Sequence, residues 1–161
     1  MELPKPRKEH EWLKRLVGEW TFEAECIMGP DQPPMQNTGS ETVRSLGDLW
    51  TVGEWTSEMP EGGNCDSLMT LGFDPQRQRF VGTFVTSAMT HLWVYDGTLD
   101  AGGNVLTLET EGPSFAGDGT MTKYRDIIEL LDEGVRTLSS QALTPDGQWQ
   151  QFMTSKYRRL K

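Results

Sequence analysis

Trp20, Phe22, Ala24 and Cys26 alternate with Thr21, Glu23 and Glu25. A period of two places an apolar row on one face of a strand and an acidic row on the other. Further runs of strand character follow at roughly 36–46, 49–58, 66–73, 79–88, 91–98, 104–111, 120–132, 135–143 and 148–159, so the pattern predicts about ten strands, each near the usual length or somewhat longer. Compact turn signals separate them, among them Asp74-Pro75-Gln76, Asp96-Gly97, Asp118-Gly119, Glu133-Gly134 and Pro145-Asp146-Gly147. Before the first strand, Trp12, Leu13, Leu16 and Val17 fall at helical spacing, and Gly18 ends the run. The segment 8–17 is therefore predicted as a short amphipathic helix.

The fold class expected is all-β: an antiparallel meander closed into a barrel of about ten strands, with a short N-terminal capping helix. Closure removes the exposed strand edges. Two stacked sheets would give similar local signals. The loop Gly112-Pro113-Ser114-Phe115 carries an aromatic that is expected to pack against a neighbour. With 161 residues and no linker or repeat, the chain reads as one domain: a loose tail over 1–7, the helix, and the barrel over 18–160.

Composition narrows the function classes. Hydrophobic residues make up 35% and mean hydropathy is −0.55, as for a thin wall with one wet face. No run approaches the roughly 20 apolar residues of a membrane span. The opening residues Met1 to Glu9 hold no apolar stretch, so no signal peptide is expected and the cytoplasm is the default. A net charge of −9 argues against nucleic acid, which needs clustered Lys and Arg, and against anionic membranes. Cys26 and Cys65 read as free thiols.

Several segments carry a family resemblance. Gly18-Glu19-Trp20 at the start of the first strand, with Arg158 or Arg159 on the last, is similar to lipocalin-type barrels, in which such an Arg packs across the Trp at the barrel base. Leu16 to Trp20, Met69 to Pro75, Thr90 to Gly97, Thr110 to Phe115, Lys123 to Asp126 and Gln150 to Thr154 together resemble the domain of unknown function 1579 family. The resemblance implies a lipocalin-like or fatty-acid-binding-like barrel and no assigned activity. The haem-binding nitrobindins share a ten-strand barrel, but Thr21-Phe22-Glu23 follows Trp20 here in place of their glycines, and the few histidines sit elsewhere. No cofactor is expected.

His91, Trp93 and Tyr95 share one strand face. Turned inward, they would line a cavity with an imidazole and two polar-tipped aromatics; turned outward, they would form a surface patch. Arg125, if inward, would demand a carboxylate from Glu129, Glu54 or an anionic ligand. Glu54 shares the face of Trp50 and Val52 and follows them inward if they are core. Met153 is one of several methionines that would suit an adaptable cavity. His91, Trp93, Tyr95, Arg125, Glu54 and Met153 are thus the candidate ligand-binding residues. No metal site is expected, because His10 and His91 are the only histidines and no Cys or His pair has ligand spacing. No nucleophile motif is visible either. The leading expectation is a binding barrel for a small, partly apolar molecule, which calls for a cavity of roughly 300 Å3 or more. The alternatives are an enzyme using His91 with a carboxylate such as Glu54, and a structural homodimer formed through extended strands such as 79–88.

Overall fold

A computed structural model describes residues 1–161. The helix α1 (Lys8–Lys14) precedes ten strands: β1 (Gly18–Cys26), β2 (Met35–Leu46), β3 (Trp50–Glu58), β4 (Asn64–Asp74), β5 (Arg79–Thr86), β6 (Trp93–Leu99), β7 (Val105–Pro113), β8 (Met121–Asp132), β9 (Val135–Leu143) and β10 (Trp149–Arg159). They form one closed antiparallel barrel in chain order, with β10 paired to β1 from Trp20 opposite Arg159 to Cys26 opposite Met153. Every strand is paired on both sides, which settles the barrel over the sandwich. It leaves no free edge on β5, which pairs with β4 and β6, for strand-to-strand pairing of 79–88 with a second copy.

The up-and-down path sorts the connections. The β1–β2, β3–β4, β5–β6, β7–β8 and β9–β10 loops meet at one end, here called the mouth. The other end, the base, carries α1. Trp12 and Leu13 of α1 and Leu16 just after it join Phe73, Phe80, Leu106 and Leu130 in one core cluster. Trp12 Nε1 donates to the Gly103 carbonyl at 2.7 Å. The Arg7 backbone N–H donates to His10 Nδ1 at 2.8 Å. The proton of that imidazole therefore sits on Nε2, which donates to the Phe73 carbonyl at 3.1 Å. These bonds fix a helix of 7 residues, too short to be stable alone.

The base is locked around Trp20, whose Nε1 donates to the Leu16 carbonyl at 2.9 Å. Of the two candidate arginines, Arg159 does the locking. Its guanidinium lies 4.2 Å from the Trp20 ring centroid and donates to the carbonyls of Val17, Arg15 and Glu133. Gly18 has φ +145°, and a Cβ there would come within 2.5 Å of Arg159 Nη1. The glycine of the Gly-x-Trp opening is thereby explained. Arg159→Ala removes these bonds and the ring contact together, and should lower stability by about 2–3 kcal/mol, read as a fall in the thermal midpoint.

Candidate functional site

The two halves of the interior differ in side-chain size. Toward the base, large side chains fill it: Trp20, Phe80, Leu106 and Leu108 are almost wholly buried. The enclosed space left among Glu41, Gly53, Trp55, Met69, Ile128 and Arg136 is about 20 Å3, enough for one water. A closed chamber of the size expected for a ligand is therefore absent from this half.

The polar centre of the filled half is an ion pair. Glu41 follows Val43 inward on β2, and Arg136 follows Leu138 inward on β9. Arg136 Nη2 donates to Glu41 Oε1, with both side chains buried. The guanidinium lies 4.5 Å from the Trp20 ring centroid and 4.0 Å from that of Tyr157. Trp55 Nε1 donates to the Tyr157 hydroxyl at 2.7 Å. Gly53 makes room, since a Cβ there would stand 2.5 Å from Glu41 Oε2. Arg136 Nε has no protein partner.

Burial pushes the Glu41 carboxyl from its ordinary 4.5 up to about 7, against the pull of Arg136. The folded state thus holds this proton more tightly than the unfolded chain does. The stabilisation is complete below about pH 4.5 and is lost as pH rises through about 7. A shift of this size corresponds to about 3 kcal/mol. The protein should be more stable to denaturant at pH 5 than at pH 8, and Glu41→Gln should flatten that difference.

Toward the mouth, small and polar residues join the large ones on the inward rows. Asn37, Ser57, Ser67, Thr110, Thr122 and Ala142 lie there and are only half-buried. At the floor of this half stands Asp126, on the same face of β8 as Tyr124 and Ile128. Its carboxylate accepts from the Tyr95 hydroxyl and, at 2.5 Å, from Ser140 Oγ. No Lys, Arg or His pairs with it. Burial raises the affinity of Asp126 for its proton and that of the Tyr95 phenol as well. Above this floor runs an aromatic cluster. Trp93 meets Tyr124 edge-on at 5.3 Å, and Phe115 lies 5.3 Å from Tyr124 and 5.2 Å from Phe152. Phe115 thus has the packing partners expected of it, while staying largely exposed on the β7–β8 loop.

Of the six candidates, four belong to this half. Trp93 and Tyr95 point inward and are buried, and Met153 packs half-buried against the core. His91 sits at the rim before β6, edge-on to Trp93 at 4.7 Å, with Nε2 against the Glu111 carbonyl at 3.0 Å. Arg125 and Glu54 stand on the outer wall, which corrects the reading that either reaches the interior. Arg125 donates to Gln141 at 2.7 Å and lies 4.2 Å from the Trp149 ring centroid. Glu54 is exposed because Thr51, Gly53 and Trp55 are the inward residues of β3, while Trp50 lies over Gly72 outside. The suggested His91–Glu54 acid–base pair is therefore not assembled. An inward Arg–Glu pair does exist, made by Arg136 and Glu41. Their parity with Leu138 and Val43 was the available signal. Asp126 was likewise legible only once Tyr124 was taken as inward. No three His, Cys, Asp or Glu side chains gather as a metal site, and no helix is long and apolar enough to cross a membrane.

Residues 5–159 match the family described as "Protein of unknown function (DUF1579)". The chain belongs to the DUF1579 family. No curated protein matches it significantly. Among solved structures, this DUF1579 barrel is similar to Rv2717c from M. tuberculosis, with 14% identity and a TM-score of 0.65 over 98% of this chain and 100% of the other. It is also similar to the S-type phycobiliprotein lyase CPES from Guillardia theta, with 14% identity and a TM-score of 0.61 over 98% and 99% of the two chains. At such identities the likeness concerns the fold of the DUF1579 chain alone.

Proposed function

We propose that this protein is a non-enzymatic binding barrel that takes a small, partly apolar molecule into the mouth half of its interior. The observation that carries this reading is the change from the large, buried side chains of the base to the half-buried Asn37, Ser57, Ser67, Thr110, Thr122 and Ala142 toward the mouth. Inward rows that combine hydroxyls and aromatics suit a ligand with one polar end. Trp93, Tyr124, Phe115 and Met153 would contact its apolar body, His91 would flank the entrance, and Tyr95, Asp126 and Ser140 would meet its polar end. The likeness in fold to a phycobiliprotein lyase is compatible with ligand binding.

Native mass spectrometry of protein purified gently from cells, set against the denatured mass, tests the reading. A reproducible excess mass is expected. Ala142→Trp, which fills the mouth beside Tyr124, should remove it. An excess retained by the variant, or a bare chain mass throughout, counts against the proposal.

A further inference from the structure

One part of the outer wall is apolar. On β4 and β5 the outward residues form three cross-strand rows without a charge: Leu68 opposite Val85, Thr70 opposite Thr83, and Gly72 opposite Val81. The neighbouring strands widen the patch. Trp50 of β3 lies across Gly72 and stays 41% exposed. Val94 of β6, opposite Thr83, is 59% exposed, and Leu92 just before it is 54% exposed. A contiguous apolar surface of this kind marks an interaction face. Its middle row is already satisfied for burial. The hydroxyls of Thr70 and Thr83 bond each other at 2.8 Å, and Thr70 Oγ1 accepts from the Thr83 backbone N–H. Covering this row strands no polar side chain.

Charges begin one row beyond the patch. Asp74 stands opposite Arg79 on the base side, and Asp66 stands beside Ser87 on the mouth side. The pattern is self-complementary. A two-fold axis running along the strands, midway between β4 and β5, lays each β4 position on the β5 position it pairs with in its own chain. Leu68 then meets the partner's Val85, Thr70 the partner's Thr83, and Asp74 the partner's Arg79. Val81 enters the space above Gly72 beside Trp50. Each contact occurs twice, as an isologous interface requires. Arg79 stands 3.8 Å from Asp96 with about half of its side chain exposed, which leaves it free to take a second carboxylate. An axis across the strands would set Asp74 against the partner's Asp66, acid on acid, and is disfavoured. Strands about 4.8 Å apart, with about 3.4 Å per residue from Asp66 to Asp74, give the four-strand face roughly 500 Å2. Two such faces reach only the lower end of specific interfaces, which calls for weak, reversible association.

We propose that the outer face of β3 to β6 is a self-association surface, which takes a second copy of this chain about a two-fold axis along β4 and β5. The surface uses no inward side chain and does not depend on a ligand in the mouth.

Sedimentation equilibrium of the full chain at about 0.15 M salt tests this. The wild type should dimerise reversibly with a Kd on the order of 100 μM. Leu68→Lys and Val85→Asp should each weaken the dimer at least tenfold, because each sets a charge against an apolar side chain. An equimolar mixture of the two variants should associate again, since the axis brings the introduced ammonium onto the introduced carboxylate. Leu160→Lys, at an exposed leucine bonded to β1 on the base, should leave the dimer unchanged. All three changes lie outside the barrel, so each variant should unfold within a few degrees of the wild type. A wild type that stays monomeric at about 1 mM overturns the proposal and leaves the face to a different partner. A dimer that survives both face variants, or face variants that stay apart when mixed, overturns it as well.

Discussion

Arg136→Met should destabilise the protein by about 3–5 kcal/mol at pH 8, because it strands the Glu41 carboxylate in the filled half of the barrel. Glu41 is buried at 3% exposure, and Gly53 and Trp55 beside it offer no replacement cation. The loss should shrink at pH 5, where Glu41 can take up a proton in place of the missing partner. The double variant Glu41→Leu with Arg136→Met should recover most of the loss, since a buried pair gives little net gain over apolar side chains of similar volume. Chemical denaturation at the two pH values checks all three statements. A single variant as stable at pH 8 as the wild type would contradict the assignment of Glu41 to an ionised pair.

Ala142→Trp should reduce binding of a small apolar probe by a hundredfold or more, with a stability change under about 1 kcal/mol. Ala142 is paired with Tyr124 and only half-buried, so an indole there would take the place of the proposed ligand. The large buried side chains of the base would not shift. Isothermal calorimetry with the probe and thermal unfolding of the same samples separate the two effects. Loss of binding with an equal loss of stability would mean that Ala142 belongs to the core and that the mouth is filled.

Much of the fold was legible because the barrel wall obeys one local rule. Alternation in β1 and most of the turn residues gave the ten strands, although Asp96-Gly97 lies inside β6, and the stripe Trp12, Leu13, Leu16, Val17 gave the base helix, which stops at Lys14 short of the expected Val17. The site was harder, because it depends on parity. A one-residue choice of face sends a side chain inside or outside, and Trp50 misled on β3. A tryptophan there reads as core, yet it lies across Gly72 on the outer wall, and Glu54 goes out with it. On β8, Arg125 drew more notice than Asp126 next to it. The strand pairs Leu108 with Asp126 and Ser140 with Asp126, and these tertiary contacts decide which of the two faces the interior. Glu41 and Arg136 come from strands 95 residues apart in sequence, and no local pattern joins them.

The central claim is that the mouth half is open and receives a ligand. A titration of uniformly 15N-labelled protein with 4-phenylbutanol tests it most directly, because the probe is uncharged and reports on space rather than electrostatics. The account predicts saturable shifts at Trp93, Asp126, Ser140 and Ala142, with Leu13, Trp20 and Leu106 at the base unmoved. An absence of shifts up to the solubility limit of the probe, or shifts confined to the outer wall around Arg125 and Trp149, would contradict it.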